Sequence, residues 1–270
     1  MSLNVDPVAI AEIIRDVAET VILPRYQTLS ADEISEKVGG ELVTIADEES
    51  ELLLSQYLTA YLPGSVVLGE EGYAKDPNVI AALTGDAPVW ILDPVDGTHN
   101  FAAGKRPFVV IVALCLKGET VMGWIYDPID QRLGFAEKNA GAEFNGITTQ
   151  IASSKPNSEL IGFCARGLIA HPFQASLDSL EKTGATLTHP FCFGHEYLQH
   201  LQGAADFSII GRFFPWDHAA GVLMFEEAGG VAKLITGEEY RPTIEPNTNG
   251  SLMILAPDQD RWQDLKSYFN

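Results

Sequence analysis

Basic residues are scarce in this chain: 17 lysines and arginines stand against 37 aspartates and glutamates, for a net charge of −20. Such a balance leaves no basic stripe to neutralise a phosphate backbone, which excludes a nucleic-acid polymer as partner. It also repels phosphorylated small molecules unless cations intervene. Cysteine is nearly absent, and Cys115, Cys164 and Cys192 lie far apart in apolar stretches. They read as small buried hydrophobes in a reducing compartment, not as a disulfide framework. Long apolar runs are missing: the longest, Phe108 to Leu116, falls well short of the ~20 residues that span a bilayer, so no membrane partner is expected. The amino end carries acids and a helical pattern instead of a basic segment followed by an apolar core. No secretory leader is therefore expected, and a cytoplasmic location follows by default. The histidines show no paired metal-ligand spacing, and no serine or cysteine stands in a clear nucleophile setting. No internal repeat or low-complexity segment occurs.

What is present is an ordinary globular composition, 46% apolar and 20% charged, over 270 residues. That length buries a large core, as one big domain or two closely joined ones. Asp6-Pro7 reads as the cap and first residue of a helix, with Ile10, Ile13, Ile14, Val17 and Val21 at helical spacing toward Pro24. Thr28–Gly40 is polar and ends in a glycine pair, which predicts a mobile loop. Leu42–Asp47 leads into a helix with an acidic first turn. Ser65–Gly69 is a short strand, and Asn78–Leu83 a helix. Phe108–Leu116 and Thr120–Tyr126 flank Lys117-Gly118-Glu119, a hairpin with a three-residue turn. Arg132–Glu137 is a further strand and Gly141–Gly146 a turn. This half therefore predicts an antiparallel sheet. After about Asn145 to Asn157, where Ser, Pro, Asn and Lys cluster, strands and helices alternate to the carboxyl end, which predicts an α/β layer with a mixed sheet. The expected division is residues 1–147, carrying an α+β half, and 148–270, carrying an α/β half.

The chemistry concentrates in Trp90-Ile-Leu-Asp-Pro-Val-Asp-Gly-Thr-His-Asn-Phe101. An apolar strand delivers two carboxylates, Asp93 and Asp96, at its end, and Gly97 and Thr98 follow, residue types suited to backbone amides approaching an anion. Carboxylates for a hard cation and amides for a phosphate sit side by side. Singly, Asp47, Glu70 or Asp217 reads best as a solvated or helix-capping acid. Together, Glu70, Asp93, Asp96 and Asp217 in one cleft with a phosphate monoester would demand cations, because like charges so close cannot all stay ionised. All-oxygen donors select Mg²⁺.

These residues also carry a resemblance. WILDPVDGTHNF resembles the first signature of the inositol monophosphatase family, and WDHAAGVLMFEEAGG, from Trp216 to Gly230, is similar to its second. Thr44 with Asp47, and Gly69-Glu70-Glu71, match its supporting elements. The resemblance implies a five-layer α-β-α-β-α sandwich, two or three Mg²⁺ ions, hydrolysis of a small phosphate monoester such as inositol 1-phosphate by a cation-activated water, lithium sensitivity and a homodimer. Carried over residue by residue, Glu70, Asp93, Asp96, Asp217 and the Val95 carbonyl would hold metal. Asp47, Thr98 and Glu70 would be catalytic, the Gly97 and Thr98 amides would hold phosphate, and Glu71 would stand behind them.

The pattern departs in the leaving-group region. Where the animal inositol enzymes carry a Gly-Ser/Thr-Ala segment, the chain reads Gly194-His195-Glu196, and Ile210 stands where they carry a glutamate that contacts inositol hydroxyls. Losing that partner relaxes discrimination for a polyol. His195, Glu196, Ile210 and Arg212, with Asp96 and Asp217, are therefore the expected substrate contacts, for a phosphorylated polyol, sugar or amino alcohol. Histidinol phosphate, fructose 1,6-bisphosphate and nucleotide 3′-phosphates are alternative substrates within the superfamily. Outside it stand a metal-binding interaction protein without turnover and a glycosidase using paired carboxylates.

Overall fold

The computed structural model describes residues 5–37, 40–243 and 251–269. Asp6 caps α1 (Pro7–Val17), its carboxylate accepting the Val8 N–H at 2.9 Å, and the helix winds on through a wider turn to Ile22 before Pro24. The stretch expected to be a mobile loop instead contains β1 (Ile34–Glu36), paired antiparallel with β2 (Leu42–Thr44). Polarity alone misled there, because the hairpin is pinned by buried ion pairs and not by an apolar face. Thr44 and Asp47 form a capping box that starts α2 (Ile45–Tyr61).

The larger sheet has seven strands in sequence order: β3 (Val66–Gly69), β4 (Val89–Asp96), β5 (Val109–Leu116), β6 (Glu119–Asp127), β7 (Arg132–Glu137), β8 (Gly141–Phe144) and β9 (Ile147–Thr149). Every pair is antiparallel except β3–β4, which is parallel. The departure from a purely antiparallel sheet comes from the connection: α3 (Glu70–Lys75) and a 3₁₀ stretch, Pro77–Thr84, carry the chain across before β4. The short helix α4 (Thr98–Ala102) leaves the end of β4. The β5–β6 turn has two residues, not three, with Lys117 and Gly118 both at positive φ (51° and 77°). Similarly, Gly141–Gly146 is a strand plus an Asn145-Gly146 turn (φ 51° and 74°), the left-handed pair that matches strand twist.

The second sheet has the order β11-β10-β12-β14-β13, formed by β10 (Ile161–Cys164), β11 (Thr186–Thr188), β12 (Phe207–Ile210), β13 (Val231–Leu234) and β14 (Met253–Ala256). Pairs β10–β11 and β10–β12 are parallel and the other two antiparallel, the mixed sheet expected. Its helices are α5 (Gln174–Glu181), α6 (Phe193–Leu201), α7 (Pro215–Glu227) and α8 (Gln259–Ser267).

Alternation along the strands explains the stacking. Trp90, Leu92, Val110, Val112 and Trp124 face α1 and α2, whereas Ile91, Val109, Ile111 and Ile125 face α6 and α7. The same two helices bury Met253 and Leu255 of the second sheet, whose opposite face, with Phe207 and Ile254, packs on Leu177, Trp262 and Leu265 of α5 and α8. The result is five layers, α-β-α-β-α. The expected boundary at 147/148 falls inside β9, a strand of the larger sheet, and one core cluster joins residues from both halves.

Helix α7 is buried nearly all round because it is the middle of the stack. Gly221 is where α7 passes α6, and a Cβ there would overlap the Tyr197 ring. Gly221→Ala should therefore destabilise by about 1–3 kcal/mol, as overpacking does, read as a lowered denaturant midpoint with an unchanged slope. An unchanged midpoint would mean the helices are not held this close.

Candidate active site

In a regular strand, residues three apart point to opposite faces. Asp93 and Asp96 nevertheless converge, because the β4–β5 register shifts between them. Pro94 offers no N–H to the ladder, so the strand bulges there, and the Val95 N–H turns to donate to Asp93 Oδ1 at 3.1 Å. Asp217 arrives from the first turn of α7. Oxygens of Asp93, Asp96 and Asp217 lie within 4.8 Å of one another, all three side chains buried. Burial, then repulsion from Glu70, Asp96 and Asp217, holds the Asp93 carboxyl well above its ordinary range. Asp217 is likewise raised well above it by burial, with Arg212 pulling back. For Asp96 burial also dominates, opposed by the Gly194 N–H (2.5 Å) and the Cys192 thiol (3.2 Å) donating to Oδ2.

The donor set fits a hard cation. Asp217 Oδ2 is a buried carboxylate oxygen without a hydrogen-bond partner, and the cluster consists of oxygen ligands only. Three carboxylates in one buried spot lack enough protein cations to balance them.

Glu70 lines the same cavity but is engaged elsewhere. Lys37, from the β1–β2 hairpin, donates to Glu70 Oε1 at 2.7 Å and to Glu71 Oε1 at 2.6 Å, with its side chain largely buried. Burial works against the Lys37 ammonium, but the two carboxylates overcome it. Burial, followed by the Glu70 charge, pushes Glu71 up to about 8. Glu51 of α2 accepts the N–H groups of Glu71 and Gly72 (2.8 and 2.7 Å) and so fixes the start of α3. Sequence reasoning missed both Lys37 and Glu51; the first sat in a stretch taken for a loop, the second on a polar helix face.

Asp47 is fully buried behind the cavity wall. Its Oδ2 accepts from the Thr44 N–H (2.8 Å) and hydroxyl (2.6 Å), which leaves Oδ1 for Thr98 Oγ1 at 3.2 Å. Burial raises its carboxyl to about 7, against the pull of Thr44. Thr98 Oγ1 also lies 3.0 Å from the Val95 carbonyl oxygen, so its single proton can serve either acceptor. Gly97 is at φ 92°, and a Cβ there would come 2.8 Å from the Pro107 carbonyl oxygen. Only glycine takes the turn into α4. Asn100 Nδ2 donates to the Pro107 and Pro190 carbonyls (2.8 and 3.0 Å), tying α4 to the segment before α6.

The cavity holding these groups measures about 740 Å³. Arg212 lines it, pairs with Glu41 of the hairpin, and stands 4.0 Å from Asp217. Of the other expected substrate contacts, Asp96 and Asp217 line it too, whereas Ile210, His195 and Glu196 do not. Ile210 is 3% exposed, within the core. His195 bonds Gln199 at 2.7 Å, and its charged surroundings are Arg132 and Asp127. Glu196 is buried against His189, its Oε1 at 2.6 Å from Nδ1. Successive helix residues diverge by about 100°, so the first turn of α6 cannot present all its side chains to one cavity. On this side the lining comes instead from His189, Phe191 and Cys192, just before α6, and from Phe193, its first residue.

A sequence profile of the inositol monophosphatase family matches residues 4–266. A fructose-1,6-bisphosphatase/inositol-1-monophosphatase of Thermotoga maritima is 28% identical over 212 residues, 77% of each chain. A histidinol-phosphatase of Chlorobaculum parvum is 32% identical over 191 residues, 70% of each. Among solved structures, an IMPase of Thermotoga maritima superposes with a TM-score of 0.78 at 23% identity, covering 97% of this chain and 95% of that one.

Proposed function

Because the chain belongs to the inositol monophosphatase family, whose members are phosphatases of small phosphorylated substrates, we propose that it is a Mg²⁺-dependent monoesterase for a small alcohol phosphate, inositol 1-phosphate or, as the alternative within the superfamily, histidinol phosphate, fructose 1,6-bisphosphate or a nucleotide 3′-phosphate. The convergence of Asp93, Asp96 and Asp217 at a bulged strand end carries this reading. Those three, with Glu70 and the Val95 carbonyl, would hold two or three ions. Mg²⁺ bound there would lower the pKa of a water and offset the charge that develops in the reaction.

The chain's own groups then have distinct tasks. The Gly97 and Thr98 amides, at a helix start with no intrahelical partner, receive phosphate oxygens. Thr98 accepts a hydrogen bond from the attacking water and donates its own proton toward Asp47 Oδ1. Asp47 is poised for this by burial, which makes it a stronger base than an exposed aspartate. When Thr98 turns to Asp47, the Val95 carbonyl is released to face the cation site. Arg212, beside Asp217, keeps the acid cluster from repelling an anionic substrate. No covalent phospho-enzyme is needed, in keeping with Cys192, whose thiol burial pushes well above its ordinary range.

The substrate panel tests this reading. Phosphate release compared across inositol 1-phosphate, histidinol phosphate, fructose 1,6-bisphosphate and a nucleotide 3′-phosphate should single out one of them with Mg²⁺ and stop with chelator. Turnover of glycosides without metal, or of no monoester at all, would overturn it. We also propose a cytoplasmic homodimer, inhibited by lithium; among the described residues no helix is long and apolar enough to cross a membrane. A sedimentation experiment finding only the 29.3 kDa species would count against the dimer.

A further inference from the structure

Part of the cavity wall is apolar and aromatic, set among the polar lining residues Glu41, Arg166 and Thr188. Phe191 lines the cavity with 68% of its surface exposed, and Leu168 lines it with 37% exposed. An aromatic side chain left in water forgoes the gain of burial, so its placement at a cavity mouth asks for an occupant. The backbone sharpens the point. Phe191 sits at φ 58°, in the left-handed region that bulky side chains rarely adopt. Such a conformation is strained and persists only where the surroundings enforce it. Here the enforcement is visible: Asn100, anchored in α4, binds the Pro190 carbonyl at 3.0 Å and reaches the Phe191 carbonyl at 3.4 Å.

Phe191 is also the first member of a line of rings. His189 lies 4.9 Å from Phe191 and 5.4 Å from Phe193 between centroids, and Phe193 lies 4.7 Å from His218, the neighbour of Asp217. Glu196 fixes the His189 ring through Nδ1. Phe191, His189 and Phe193 thus line the cavity side by side, tilted against one another. Hydroxyl-reading carboxylates or amides are not what the segment Phe191–Phe193 supplies.

We propose that Phe191, His189 and Phe193 form a binding wall for a flat aromatic or heteroaromatic ring, and that the preferred leaving group is an alcohol carrying such a ring. Phe191 is the specificity-determining residue and Glu196 a positioning residue for His189. The inference rests on the monoesterase reading for where the phosphate goes, but the wall can be tested apart from turnover.

The test is calorimetric titration of the Mg²⁺-loaded full chain with 2-phenylethylphosphonate and 2-cyclohexylethylphosphonate, non-hydrolysable anions that differ in the flatness of the ring. The wild type should prefer the phenyl compound by roughly 3- to 10-fold, the scale of an aromatic pair beyond its buried area. Phe191→Gly should bring the preference near unity without lowering the melting temperature, since glycine suits that φ. Phe191→Leu, which keeps bulk but no ring, should lose it as well. Equal affinities in the wild type, or a preference surviving in both variants, would overturn the proposal. So would a Phe191→Gly protein that sediments as a lighter species with its preference intact, which would make Phe191 a subunit contact. If no monoester is hydrolysed while the phenyl preference stands, the phosphatase reading fails and the wall does not.

Discussion

Asp93→Asn should lose about a hundred- to a thousandfold in kcat/KM at saturating Mg²⁺, the scale of one lost electrostatic stabiliser in a preorganised site. In excess chelator the same variant should nevertheless melt higher than the wild type. Both results come from one feature. The Asp93 carboxyl is buried and faces Glu70, Asp96, Asp217 and Asp47, so ionising it in the folded chain is costly without a cation. Amide substitution removes that cost and removes the ligand charge with it. If the relief is about 1 kcal/mol, the melting temperature rises by roughly 2–4 °C in a chain of this size. The pH dependence has a definite sign. Asp93 has a folded pKa raised above its ordinary 3.8, so in chelator the folded state binds more protons, and stability falls as pH rises above that ordinary value. The variant should lack this part of the decline. Mg²⁺ should reverse it in the wild type, since a cation that binds only the folded, ionised cluster stabilises by mass action. Retention of most activity in Asp93→Asn would remove the assigned metal role; a lower melting temperature in chelator would remove the repulsion argument.

Asp47→Asn should lower kcat by about a hundred- to a thousandfold, the range of a positioned general base, while shifting the Mg²⁺ titration far less than Asp93→Asn does. Asp47 touches the cavity only through Thr98, and its other oxygen is committed to Thr44. Its function is therefore separable from ion binding. Burial raises Asp47 to about 7, and a base must be ionised to act. The rate of the wild type should fall as pH drops through a value at or below 7, displaced downward by neighbouring Mg²⁺, and the Asp47→Asn variant should show that limb flattened. The isosteric amide still accepts through its oxygen, so the helix start should survive; circular dichroism and the denaturant midpoint would establish this. A large loss of Mg²⁺ affinity would instead make Asp47 a direct ligand.

How far the sequence reached depended on whether the signal was local. Apolar alternation located β4, β5, β6, β10 and β12 within a residue or two, because burial on two faces writes itself directly into residue type. Capping by Asp6 placed α1, and an acidic first turn placed α2, since both act on donors at the helix start a few residues away. The β1–β2 hairpin escaped because its anchors, Lys37 and Glu41, bind Glu70, Glu71 and Arg212 far along the chain. Polar residues that pair at long range look, one at a time, like solvated loop. The parallel β3–β4 pair escaped because strand direction depends on how the connection crosses, not on the strand residues.

The site divides the same way. The two signatures named Asp93, Asp96, Gly97, Thr98 and Asp217, and the fold brings them together. Of the expected leaving-group residues Arg212 lines the cavity, whereas His195 and Ile210 do not and Glu196 stands behind His189. By itself, the sequence determined the acid constellation and the family, because a cation–phosphate site needs particular residue types at short spacing. Only the tertiary structure decided which side chains face the empty space beside that constellation. That depends on a bulge at Pro94, the left-handed turn at Phe191 and the rotation of α6, and each of these is a direction in space that residue order does not carry.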